Sequence, residues 1–141
     1  MRNIRLLLTL ALLLVAGFAA AQAGRPFSVT LYGTAEVPGP GDPDGLGHAA
    51  LTLNPGRSEI CYTLTVTGIT PATAAHIHRA VAGQAGPIVV TLRPPTSGTS
   101  RDCATADPQL IRNIIEHPAN YYVNVHNADY PAGAIRGQLS R

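Results

Sequence analysis

The sequence predicts an all-β fold: an antiparallel β-sandwich or partly closed barrel of about seven to eight strands, with one short helix at about residues 107–117. Apolar residues recur at every second position through most of the chain, which is the period of a half-buried strand. Glycine- and proline-rich breaks separate these segments, and one stretch alone has helical periodicity. Many short strands joined by turns are typical of a sandwich or a barrel.

The N-terminal residues have the pattern of a cleavable secretory signal. Arg2 and Arg5 precede an apolar run at 6–18, and small residues of the A-x-A type follow. The run is shorter than the ~20 residues that span a bilayer, so a signal is favoured over an uncleaved anchor. We expect cleavage after Ala23, with Ala21 as the alternative. The sequence therefore divides into a signal peptide at 1–23 and one secreted or periplasmic domain at 24–141, with no transmembrane segment in the mature chain.

Three strands are expected to open the mature domain. A turn-rich stretch at 38–47 separates the first two, and Asn-Pro-Gly at 54–56 is a tight turn that predicts an antiparallel hairpin between the second and third. By alternation, the inward residues of the three strands are Phe27, Val29 and Leu31; Ala49, Leu51 and Leu53; and Ile60, Tyr62, Leu64 and Val66.

Four further strands are predicted, at 75–78, 88–92, 121–126 and 134–139. Between them, Asp107 can cap a helix and Pro108 suits its first position. Pro118 discourages continuation of this helix. Its apolar stripe consists of Leu110, Ile111, Ile114 and Ile115.

The two cysteines, Cys61 and Cys103, are expected to form a disulfide, because an even pair in an oxidising compartment is usually bridged. Such a bridge would stabilise the fold by roughly 3 to 4 kcal/mol in the chain-entropy treatment. A redox or metal-binding thiol pair is the alternative, and it is less favoured because C-x-x-C spacing is missing.

Charge argues against nucleic acid as a partner. Removing Arg2 and Arg5 with the signal leaves eight of the ten arginines against eight acidic residues, so the mature domain is close to neutral. No basic block and no interleaving of basic and aromatic residues is present in the sequence.

Histidines are placed on the polar faces of the predicted strands. Residues two apart in a strand point the same way, so His76 and His78 share a face opposite Ala75 and Ile77. If the strands are neighbours, the polar residues of three strands converge. These residues are His76 and His78; Tyr122, Asn124 and His126; and Arg136 and Gln138.

Three imidazoles on rigid strands, His76, His78 and His126, can ligate copper or zinc. Asn124, Arg136 and Tyr122 would then surround the ion or line a ligand-binding face. The alternative, which the sequence favours, is that the histidines are half-buried and hydrogen-bond to neighbours without a metal. A shared ion requires the imidazole nitrogens to lie within about 4 Å of each other.

No catalytic constellation is recognisable in the sequence. A G-x-S-x-G elbow and a P-loop are both missing from it. Asp42 and Asp44 flank a proline, where turn formation explains them better than acid–base chemistry. His48 lies beside a turn and His117 at a helix end, and neither position indicates a functional role. The sequence therefore predicts a protein that is not an enzyme.

Three segments resemble the CHRD (chordin-type) domain of exported bacterial proteins. They are LYGTAEVP at 31–38, AAHIHRAVAGQAGPIVVTL at 74–92 and YYVNVHNADYPAGAIRGQL at 121–139, and the likeness covers nearly all of 27–139. One departure is Arg79, which follows the HIH triplet where glycine is frequent.

The resemblance implies an extracellular β-sandwich module. We therefore expect a non-enzymatic extracytoplasmic binding or structural module, whose partner is an extracellular protein, a glycan or a metal ion. The alternative is a copper- or zinc-binding protein that uses the histidine cluster, with redox activity.

Overall fold

The computed structural model describes residues 24–141, which form eight antiparallel strands in one nearly closed, barrel-like sheet with one helix. Of the two expected architectures, sandwich and partly closed barrel, the structure shows the barrel. The predicted signal peptide at 1–23 lies outside the described residues. The strands are β1 (Arg25–Tyr32), β2 (Leu46–Asn54), β3 (Glu59–Thr67), β4 (Ala72–Arg79), β5 (Ile88–Leu92), β6 (Thr99–Thr105), β7 (Tyr121–Asn127) and β8 (Ile135–Gln138).

The strand order across the sheet is β5-β4-β7-β8-β1-β2-β3-β6. The predicted hairpin between β2 and β3 is confirmed, with Leu51 opposite Tyr62. At its turn, the Arg57 backbone N–H donates to Asn54 Oδ1 at 3.1 Å. The order also places β7 between β4 and β8, so the histidine-bearing strands are neighbours in the sheet.

Strand β6 is the one that the periodicity of the sequence did not reveal. Ser100 is its single fully buried residue, so its sequence shows no alternation of apolar and polar positions. It pairs with β3 and sets Cys103 directly opposite Cys61. The predicted Cys61–Cys103 disulfide is confirmed.

The core fills the inside of the sheet with aliphatic side chains from alternate positions of the strands. Helix α1 (Pro108–Glu116) covers one end of the barrel, at the β2–β3 turn, and buries Ile111 and Ile114 in this core. The predicted cap is confirmed, because the Gln109 N–H donates to Asp107 Oδ1 at 2.6 Å. Among residues 24–141, no helix has the length and apolar character needed to cross a membrane.

A seam joins the two edge strands and nearly closes the barrel. The Arg93 backbone N–H, just after β5, donates to Tyr62 Oη of β3 at 2.7 Å. Ser100 Oγ of β6 donates to the Arg93 carbonyl at 2.8 Å. Both backbone polar groups of Arg93 are therefore hydrogen-bonded to side chains of β3 and β6, across the seam.

Candidate functional site

The candidate site lies on the outer face of β4, β7 and β8. The strand register brings together the polar residues that the sequence placed on this face. One row across the three strands is His76, Asn124 and Arg136, the next is His78, Tyr122 and Gln138, and His126 lies opposite Ala74.

A loop covers this face, so its polar groups are more buried than the sequence suggested. The loop at 80–87 accepts two hydrogen bonds from Arg136, Nη1 to the Gln84 carbonyl at 2.7 Å and Nη2 to the Val81 carbonyl at 3.1 Å. Gln138 Nε2 donates to the Ala80 carbonyl at 2.9 Å. Arg136 is consequently only 2% exposed.

Tyr122 fixes the centre of the face. Its ring stacks on His78 with centroids 4.8 Å apart and planes 5° from parallel. The Arg136 guanidinium carbon lies 3.4 Å from the centroid of the Tyr122 ring, in a cation–π contact. The Gly86 N–H donates to Tyr122 Oη at 3.3 Å, so the ring also holds the end of the covering loop.

The three histidines are held through their ring nitrogens, and His76 Nδ1 donates to His126 Nε2. His78 Nδ1 lies 2.8 Å from the Gly86 carbonyl, and His126 Nδ1 lies 3.0 Å from the Pro131 carbonyl. Because a carbonyl oxygen only accepts, each Nδ1 carries the proton and each Nε2 keeps its lone pair. His76 Nδ1 lies 3.1 Å from His126 Nε2.

The three histidines lie close enough together to be candidate ligands of one ion. One potential ligand nitrogen from each histidine lies within 4.8 Å of the others. The nitrogens of His76 and His126 lie within the required 4 Å of each other. For all three nitrogens together, the separation is within 4.8 Å, which is wider than that requirement. A tetrahedral ion spaces its nitrogens about 3.4 Å apart, so binding would draw the imidazoles together by up to about 1.4 Å.

Burial keeps His76 and His78 neutral. Loss of hydration lowers the pKa of His76 to about 4, and the neighbouring His126 and His78 lower it further. Burial also lowers the pKa of His78, against the opposing effect of the Gly86 hydrogen bond. Neutral imidazole is the form that ligates a metal, so no proton has to leave His76 or His78 at neutral pH.

Glu36 is a member of the cluster that the sequence analysis did not identify. Burial raises the pKa of its carboxyl to about 7, opposed by Arg136 and by hydrogen bonds from the Val37 backbone and the Asn124 side chain. Glu36 lies in irregular chain after β1, where periodicity gives no information. The single available signal was an acidic residue within the turn-rich AEVP segment.

Several buried polar atoms of the cluster have no hydrogen-bond partner among the described residues. They are Glu36 Oε1, His78 Nε2 and Asn124 Oδ1. The Asn124 side chain also interacts with the His78 imidazole and raises its pKa, against the larger effect of burial. Because buried polar groups are nearly always partnered, such orphans indicate a bound water or ion.

Other candidate groups lie apart from this site. His48 is exposed and contacts Ser28 Oγ at 3.1 Å, and His117 is exposed at the end of α1. Glu59 lies near Cys61 and Cys103, but both sulfurs are committed to the disulfide. An open depression around this disulfide, over β1, β2, β3 and β6, contains none of the histidines.

Comparison with known proteins gives one match. A family model described as the CHRD domain matches residues 27–139. No match was found among curated proteins or among solved structures.

Proposed function

Because the chain belongs to the CHRD domain family, we propose that it is an exported, non-enzymatic module that binds its ligand at the outer face of β4, β7 and β8. The disulfide supports a site of action outside the cytoplasm, where such bridges persist. The polar atoms on this face support binding rather than turnover. Most of them are held by fixed backbone carbonyls, and no nucleophile paired with a base is found at the site within 24–141.

The ligand best supported by the geometry is a copper or zinc ion held by His76, His78 and His126. The observation that carries this choice is the pair of carbonyl contacts that orient two Nε2 lone pairs inward. Metal-bound histidines commonly donate their second nitrogen to a carbonyl in this way, which fixes the tautomer. Three imidazole nitrogens suit copper and zinc better than magnesium or calcium, which prefer oxygen.

Metal content tests this function. The full chain, without a histidine tag, should be exported by its own signal, and the purified protein should be analysed for bound elements. We expect about one copper or zinc per chain. The double variant His76→Ala, His78→Ala should lose this metal. The matched control His48→Ala, His117→Ala removes two exposed histidines and should retain it.

Thermal unfolding gives an independent readout. Ligand at one hundred times its Kd stabilises the folded state by about 2.7 kcal/mol, which raises Tm by about 10 °C for a domain of this size. Metal-free protein whose Tm is unchanged by added copper or zinc would exclude the metal, leaving a protein or glycan as the ligand. Turnover of a small substrate that His76→Ala abolishes would contradict the non-enzymatic proposal.

A further inference from the structure

The cluster contains more buried acceptors than donors. His78 Nε2 is a lone pair, because its Nδ1 donates to the Gly86 carbonyl, and it has no hydrogen-bond partner among the described residues. Asn124 Oδ1 and Glu36 Oε1 are also acceptors, and neither has a partner among residues 24–141. Arg136 directs three of its five N–H donors to the covering loop and to Gln138, and Asn124 Oδ1 and Glu36 Oε1 stay without a partner beside it. The excess of acceptors favours a cation together with a hydrogen-bond donor bound to it.

Asn124 is placed to contact that donor. It is 2% exposed and lies directly opposite His76 on β4. Its side chain hydrogen-bonds the Glu36 carboxylate. This hydrogen bond lowers the pKa of Glu36 and so stabilises the ionised form, which means that the Asn124 amide nitrogen donates to it and Oδ1 is left for another partner.

Glu36 is itself held in one place. Its carboxylate lies against Gly133, where an added Cβ would come within 2.5 Å of both carboxylate oxygens. The Val37 N–H donates to it, and Arg136 attracts it. A fixed Glu36 therefore fixes which end of the Asn124 amide faces the histidines.

We propose that the metal site has an open fourth position occupied by a water molecule, and that Asn124 Oδ1 accepts a hydrogen bond from this water while Glu36 orients Asn124. This inference rests on the proposed metal function. An amide oxygen is a poor direct ligand for copper or zinc, whereas three protein ligands and one water form a common arrangement for zinc. Asn124 and Glu36 are positioning residues that select which small ligand occupies the open position.

Azide binding to the cobalt-loaded full chain tests this selection. Azide cannot donate a hydrogen bond, so in the wild type it displaces the water and leaves Asn124 Oδ1 unpaired. Asn124→Leu removes that acceptor, and we expect azide to bind about 10-fold more tightly, as followed by the visible absorption of cobalt. Cobalt itself should bind about 10- to 100-fold more weakly, because the bound water loses its partner.

Two further variants keep the test decisive if Asn124→Leu does not fold. Glu36→Gln allows the amide of Asn124 to reverse and to present its nitrogen, so azide should again bind more tightly. Asn124→Asp retains an acceptor, so azide should bind no more tightly than in the wild type. A structural defect alone would weaken both cobalt and azide binding in every variant.

The outcomes separate this inference from the proposed function. If the wild type binds no cobalt, copper or zinc, the metal function itself fails. If it binds cobalt but azide affinity is unchanged in Asn124→Leu and Glu36→Gln, the metal function stands and the role of Asn124 is wrong.

Discussion

At the scale of single residues, Glu36 is a buried acid beside a buried arginine. Glu36 is 6% exposed, and the pKa of its carboxyl is raised from 4.5 to about 7 mainly by burial. A raised pKa means that the folded state holds the proton more tightly than the unfolded chain. Stability contributed by this residue is therefore greatest at low pH and falls as the pH rises from 4.5 to about 7.

Glu36→Gln should remove this dependence. Relative to the variant, the wild type should lose stability across that pH interval, by at most about 3 kcal/mol. Urea unfolding between pH 4.5 and 7.5 measures the difference. The lowered pKa of His76 makes stability rise with pH, which opposes the effect of Glu36. Because His76 is present in both proteins, comparing them cancels its contribution.

Glu116→Gln, which changes an exposed carboxyl on α1, is the control, and its profile should parallel that of the wild type. A Glu36→Gln profile that is also parallel to the wild type would show that folding does not shift the pKa of Glu36.

Individual site residues could be predicted where a regular element carries them. Alternation predicted that His76 and His78 share one face of β4 and that Asn124 and His126 share one face of β7, and the strand register places both pairs on the same face of the sheet. Glu36 could not be found in this way. Its position depends on the path of irregular chain between β1 and β2, which local periodicity does not describe.

At the scale of elements, the loop at 80–87 determines the burial of the site. Its carbonyls receive Arg136 and Gln138, and its last glycine accepts from His78. The sequence indicated a glycine-rich loop here but not that it folds back over the sheet, because that depends on side chains of β8 more than fifty residues away.

Arg136→Lys should loosen this loop. A lysine keeps the charge but cannot reach two carbonyls with one planar group. We expect a loss of about 1 to 3 kcal/mol in the free energy of unfolding. Hydrogen exchange should become faster at the loop amides and remain unchanged in β2 and β3.

Arg93→Lys, at an exposed arginine, is the matched control and should leave loop exchange as in the wild type. If the loop amides exchange at the same rate in Arg136→Lys as in the wild type, the guanidinium does not anchor the loop.

Among the strands within residues 24–141, β6 is the one that was not predicted. Its exposed Arg101 and Asp102 give no apolar period, and the strand forms because the partner β3 and the Cys61–Cys103 bridge hold it in place. Helix α1 was predicted because its signals, the cap and the apolar stripe, are local.

At the scale of the whole molecule, the eight-stranded sheet is nearly closed by the seam at Arg93. Sequence periodicity indicated the strand type but allowed either a sandwich or a barrel. Both architectures bury one face of each strand, and the choice depends on long-range contacts such as Tyr62 with Arg93.

Tyr62→Phe should weaken the seam specifically. Loss of the hydroxyl leaves the Arg93 N–H without its acceptor, at an expected cost of about 1 to 2 kcal/mol in unfolding free energy. Amides of β5 should exchange faster than those of β7 in the centre of the sheet. Tyr32→Phe, at a half-exposed ring, serves as control, and identical exchange in both variants would show that the hydroxyl does not hold the edge.

The stacking of Tyr122 on His78 also gives the molecule a built-in optical reporter. The chain has no tryptophan and five tyrosines, so its ultraviolet emission is tyrosine emission. One of these rings lies in face-to-face contact with a candidate ligand imidazole. Copper arriving at His78 would quench that ring before the others, so occupancy can be followed by fluorescence without a label.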